Sequence, residues 1–176
     1  MERDKNSRRA RQSGNTLLEM ALVLTPFFAL TLSIVELSLP IFLKSTFVDA
    51  AREGCRYGIT YQTTYNGTTY SSQTAAITAV VEANSMGFIN SSNASSVVSV
   101  AYYNSTTFTQ VTGSGANAAG NILVVSINGY THQWIDPIMW FYGSTTFSVT
   151  GTPLTISAWS ADRLETLPVG TTPPTP

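Results

Sequence analysis

A long, predominantly apolar run from residue 15 to residue 43 constrains this chain more than any other feature. Crossing a hydrocarbon core takes about 20 mostly apolar residues in a helix, and residues 20–43 reach that length. A helix buried in a water-soluble domain keeps a polar face, and this stretch has none of useful width. A cleaved secretory signal would carry an apolar core of about 7–15 residues and then a small-x-small cut site. The run here is longer, and Ser45-Thr46-Phe47 supplies no such site. The expected element is an uncut helical anchor.

Charge gives the anchor a direction. Five of the nine basic residues (Arg3, Lys5, Arg8, Arg9 and Arg11) precede Gly14, while residues 57–161 hold only Glu82 and Asp136 as formal charges. The far flank carries Lys44, Arg52 and Arg56, offset in part by Asp49 and Glu53. By the positive-inside rule the head is cytoplasmic and the Ser/Thr-rich body lies outside. A body so poor in Lys and Arg cannot make the phosphate contacts that drive nucleic-acid binding, so no nucleic-acid partner is expected. The one cysteine, Cys55, excludes an internal disulfide and a thiolate metal cluster; between Gly54 and Arg56 it reads as a small buried filler.

Two carboxylates interrupt the anchor. A charged Asp at a helix centre costs about 2.5–3.5 kcal/mol on insertion scales, so such residues find partners or serve function. Glu19 lies near the cytoplasmic end, within reach of the interface. For Glu36, deeper toward the outer end, two readings stand: proximity to the interface or protonation, and contact with another helix.

Head and anchor together form one pattern: basic residues, then Arg11-Gln12-Ser13-Gly14, then Asn15-Thr16-Leu17-Leu18-Glu19-Met20. This resembles the class III signal of type IV prepilins and pseudopilins, which a membrane aspartyl protease, the prepilin peptidase, cuts after the glycine. The resemblance implies a cut between Gly14 and Asn15. Glycine lacks a Cβ, so its backbone can approach a catalytic surface closely. The cut would leave a new α-amine on Asn15, one helical turn from Glu19. Pairing of the two within one subunit or between neighbours would offset the cost of placing Glu19 near lipid; the family suggests the second, an assembly role.

Past the anchor comes Asp49-Ala50-Ala51-Arg52-Glu53-Gly54-Cys55-Arg56-Tyr57-Gly58. It is similar to the segment that follows the transmembrane helix in TadE-like proteins, and Ile34-Val35-Glu36-Leu37 resembles an internal element of that family. These resemblances, over residues 13–61, imply a TadE-like pseudopilin of a tight-adherence (Tad, Flp-type) pilus. Ala50, Gly54 and Gly58 fall at i, i+4 and i+8, a small-residue stripe that admits another backbone. It suits packing against the chain's own sheet, a subunit interface, or both. Asp49 with Arg52, and Glu53 with Arg56, are spaced to pair along the exposed side. Pro26 and Pro40 argue against a straight rod.

In the body, residues 60–72 read as a loop and 73–86 as a short amphipathic helix stopped by Gly87. Residues 96–103, 121–130, 147–149 and 154–159 read as strands, split by turn-rich stretches. The stretch 154–163, ending in Arg163, resembles the closing strand of TadE-like proteins. The apolar segment 132–142 contains His132 and Asp136, but two possible ligands with Pro137 between them do not make a metal site. With one histidine, no orderable catalytic set and no phosphate loop, neither catalysis nor a cofactor is expected. Four Asn-x-Ser/Thr matches (at Asn66, Asn90, Asn93 and Asn104) arise from composition.

The expected fold class is α+β and pilin-like: a long N-terminal transmembrane helix, a short helix and a small antiparallel β-sheet. The expected organisation is a cleaved cytoplasmic leader (1–14), a helix over 15–59 that spans the membrane in 15–43, an extracytoplasmic domain (60–165) and a disordered tail (166–176). The expected function is that of a processed pseudopilin or minor pilin in pilus assembly, held in the cytoplasmic membrane. Its expected partners are the prepilin peptidase, other pilins, inner-membrane platform proteins and the lipid bilayer. The rival readings are a pilus-associated adhesin subunit and a single-pass membrane protein of unrelated function.

Overall fold

The computed structural model describes residues 3–132, 153–168 and 170–176, with side chains from residue 15 onward. The strand expected at 147–149 and the segment 133–142 lie outside the described residues. Contacts divide the chain into two units, the described helix up to Leu39 in the first and the described residues from Pro40 onward in the second.

Helix α1 runs Arg3–Ile59. Pro26 and Pro40 both stay within it, because each removes only its own N–H and the ladder continues on either side. In the first unit the large apolar side chains are open: Leu18 is 71 % exposed and Leu22 77 %. An 18-residue window of this helix has a mean hydropathy of 2.0 with none of it buried, so it is long and apolar enough to cross a membrane. Its hydroxyls fold back onto the helix. Thr25 donates to the Ala21 carbonyl at 2.8 Å, Thr31 to Phe27 at 2.8 Å, and Ser33 to Ala29 at 2.7 Å. Each polar group is thereby satisfied without water, as a hydrocarbon surround demands.

The second unit is an α+β domain. Its sheet is antiparallel, in the order β4-β3-β5-β6, built from β3 (Val98–Tyr103), β4 (Gln110–Val111), β5 (Ile122–His132) and β6 (Leu154–Arg163). Leu123, Val125 and Ile127 alternate along β5 and are fully buried, the period-2 pattern of a strand with one face on a core. The register slips between Ile127 and Tyr130, where Gly129 takes φ 74°, a conformation glycine adopts freely at a bulge.

Helix α2 (Gln73–Asn84) is capped by Ser72, whose Oγ accepts from the Ala75 N–H at 3.1 Å. Its buried residues are Gln73, Ala76, Ile77, Val80 and Val81, a helical stripe. The one-turn helix α3 (Ala94–Val97) delays β3 to Val98, two residues later than expected. Residues 60–72, read as a loop, contain a small hairpin, β1 (Thr64–Tyr65) with β2 (Thr68–Thr69). Asn66 and Gly67 turn it with φ 49° and 78°, the left-handed pair that suits a tight hairpin.

The core joins residues 43–58 of α1 to α2 and the sheet. Phe47 is fully buried, with its ring edge-on to Tyr130 at 4.9 Å and to Phe88 at 6.5 Å. The tail, for which disorder was expected, is held at defined points. Gln73 donates its N–H to the Thr175 carbonyl at 2.8 Å, and Asn117 donates through Nδ2 to the Pro174 carbonyl at 2.8 Å. Proline offers no N–H to leave unmet in such a contact, which is why a segment of this composition can lie against the domain.

Candidate functional site

Two stretches of α1 carry the residues singled out in the sequence, and the first is the head of the anchor. Gly14 lies within α1 as backbone. Beside it, Asn15 donates through Nδ2 to Glu19 Oε1 at 3.2 Å. The helical spacing i, i+4 thus places a donor on residue 15 against the Glu19 carboxylate, both exposed. Farther along, Glu36 is half-buried where its neighbours Val35 and Leu37 are exposed.

The second stretch is the junction at 47–58. Ala50, Gly54 and Gly58 are all buried. A Cβ built on Gly54 would stand 2.6 Å from Val81 Cγ2, and one on Gly58 would run into Leu123 Cδ2 and, at 2.7 Å, Ile77 Cδ1. The small-residue stripe therefore seats α2 and β5 of the same chain, and a methyl at Gly54 or Gly58 would force a neighbouring side chain to shift. On the opposite side Arg56 meets Glu53 at 4.0 Å with both side chains largely exposed, a pair worth little. No ion pair joins Asp49 to Arg52 among the described residues, and both are exposed.

Cys55 sits between these faces, 1 % exposed, with its thiol donating weakly to the Leu123 carbonyl at 3.8 Å. Burial pushes the thiol up to about 11, which suppresses the thiolate and with it nucleophilic chemistry. No group of three or more His, Cys, Asp or Glu side chains gathers into a metal-binding cluster among the described residues.

One cluster escaped the sequence reading. Gln73, fully buried, donates through Nε2 to the Gly58 carbonyl at 2.5 Å. Its Oε1 accepts from Asn117 Nδ2 at 2.6 Å and from the Tyr102 hydroxyl at 3.4 Å. A Gln and an Asn in so polar a body form no sequence pattern; the one available signal is Gln73 falling on the apolar stripe of α2.

A family model described as "TadE-like protein" matches residues 14–56. This segment of the chain is TadE-like. The match starts at the glycine that follows the basic head, spans the whole apolar helix, and ends inside the glycine stripe. It includes Gly14, Asn15, Glu19, Glu36, Ala50 and Gly54; α2 and the four-stranded sheet lie outside it. No curated protein and no solved structure matches the chain. The match covers 43 of the chain's 176 residues. Among the described residues one helix is long and apolar enough to cross a membrane, consistent with a single-pass membrane protein.

Proposed function

We propose that this protein is a pseudopilin, or minor pilin, of a Tad (Flp-type) pilus machine, cut by a prepilin peptidase between Gly14 and Asn15. The observation that carries the proposal is the position of the TadE-like segment, which begins at Gly14, three residues past the last of five basic residues in the head. Those residues hold the head at the cytoplasmic face, so the scissile bond sits at the membrane surface, and residues 15–43 remain as the anchor. The sheet domain is extracytoplasmic. The protein acts by assembly with other pilins and with inner-membrane platform proteins rather than by catalysis.

The geometry at the new terminus supports this reading. Asn15 already reaches Glu19 across one turn, and the α-amine freed by the cut would belong to that same residue. An ammonium there neutralises a carboxylate that would otherwise stand near lipid.

Sequencing the N-terminus of the membrane-bound protein tests the proposal. A mature chain beginning at Asn15 is expected, with Gly14→Leu accumulating the full-length precursor; a mature chain beginning at Met1 overturns it. Deletion of the protein should abolish pili. Normal pili that no longer adhere would assign it instead as an adhesin subunit.

A further inference from the structure

The last residues of the chain lie against a cleft whose chemistry they do not fully satisfy. The cleft encloses about 530 Å³ between residues 113–115 with Asn117 on one wall and residues 173–176 on the other. Two donors read successive tail carbonyls: Asn117 Nδ2 that of Pro174, and the Gln73 N–H that of Thr175. Asn117 is fully buried, and its orientation is fixed, because Nδ2 serves two acceptors, Gln73 Oε1 and the Pro174 carbonyl. The other end of the same amide, Oδ1, is buried with no hydrogen-bond partner. An orphaned buried acceptor is costly, so a native structure that keeps one calls for an explanation.

The explanation lies in the tail sequence. In an extended segment a residue's own N–H and C=O point to the same side, as in the paired residues of an antiparallel ladder. One side-chain amide can therefore read both groups of a single residue. Asn117 reads the carbonyl of residue 174, but residue 174 is a proline and has no N–H to return. Of the four tail residues on the cleft, Pro173, Pro174 and Pro176 all lack this donor. The tail meets the donor end of the Asn117 amide and leaves its acceptor end unmet.

We propose that this cleft is a recognition groove for an extended, uncharged peptide segment of a partner protein, and that the tail is a displaceable strap occupying it in the partner's absence. The preferred partner segment carries an ordinary residue, with its N–H, where this chain has Pro174. The groove wall of Gly113, Ser114, Gly115 and Asn117 bears no charge, which sets the neutral character of the ligand. The tail stays in place because it is tethered to the domain it covers, and a tether supplies a high effective concentration; the contact itself is incomplete.

The test uses two peptides against the chain ended after Glu165 and kept in detergent micelles. One has the tail sequence of residues 171–176, the other carries Pro174→Ala, and both are followed by fluorescence anisotropy. The Ala peptide loses some pre-organisation whatever it binds, so the quantity read is the change in peptide preference between the wild-type groove and Asn117→Ala. Asn117 is expected to favour the Ala peptide by about fivefold in that comparison, the size of one hydrogen bond. Equal preference in the two backgrounds overturns the proposal, as does failure of both peptides to bind a shortened chain that still unfolds cooperatively. If the shortened chain does not fold, the full-length protein gives the answer. There Pro174→Ala should raise Tm with Asn117 present relative to its effect with Asn117→Ala, and an excess of the Ala peptide should speed proteolysis of the tail. A Tm effect that ignores Asn117, or a tail whose proteolysis the peptide leaves unchanged, overturns it.

Discussion

Gln73 donates through Nε2 to the carbonyl of Gly58 at 2.5 Å, binding the first turn of α2 to the last turn of α1. Gly58 is where a helix end must find partners for its carbonyls, and Tyr61, with φ 59°, returns its N–H to that same oxygen at 3.1 Å. A buried side-chain amide and a left-handed residue together close the long helix.

Replacing Gln73 by Leu keeps the volume and removes the three bonds its side-chain amide makes. Gly58 loses its buried amide donor, while Asn117 and Tyr102 lose a shared acceptor. The expected loss is about 1–3 kcal/mol or more, the cost of leaving buried polar groups unmet. Urea unfolding of the detergent-solubilised protein measures it; a change within error would show that the cluster contributes nothing.

Gly54→Ala should destabilise the sheet domain by about 1–3 kcal/mol through overpacking, because the new methyl meets Val81 Cγ2 at 2.6 Å. Val81→Ala, harmful by itself, should recover part of that loss in the double variant. Additive effects of the two changes, read from thermal unfolding, would deny the contact.

Phe47→Ala removes a fully buried ring that meets both Tyr130 and Phe88. A loss of about 3–5 kcal/mol is expected. Phe28→Ala, on the exposed apolar helix where the ring is 55 % exposed, should leave unfolding of the domain unchanged. Comparison of the two denaturation curves checks both statements.

Alkali should unfold the domain before it affects the anchor. Burial raises the Cys55 thiol to about 11 from 9.0 and also raises the Tyr102 hydroxyl above its usual value. A group whose folded pKa is raised contributes its full stability below the unfolded value and loses it as pH climbs toward the folded one. Stability should therefore be flat below pH 9 with respect to Cys55 and fall between 9 and 11. Cys55→Ala should flatten part of that fall, and an unchanged slope in Tm against pH would remove Cys55 as a cause.

The anchor, the α+β class and the strands at 121–130 and 154–159 were legible because each rests on a local period. An apolar run long enough for lipid, and alternation of Leu123, Val125 and Ile127, survive whatever surrounds them. The hairpin at 64–69 has its own signal, Asn66-Gly67 between Thr/Tyr pairs, but the stretch around it looks uniformly loop-like. The amide cluster of Gln73 and Asn117 carried almost none. It is a contact between residues 44 apart in sequence, and only the packing of α2 beside the 113–117 loop creates it. The same holds for the docked tail, whose proline content argues for disorder until the donors that read its carbonyls are in place.

The glycine stripe has a last consequence. Small residues at helical spacing on a membrane-anchored helix look like an invitation to a neighbouring helix. Here Val81, Ile77 and Leu123 of the same chain have already taken that seat. A second copy approaching this helix along its length finds the grooved side closed from residue 50 onward and must read a different surface. Mutations in the stripe should therefore present as folding defects, and a search for contacts between copies belongs on the other faces of the helix.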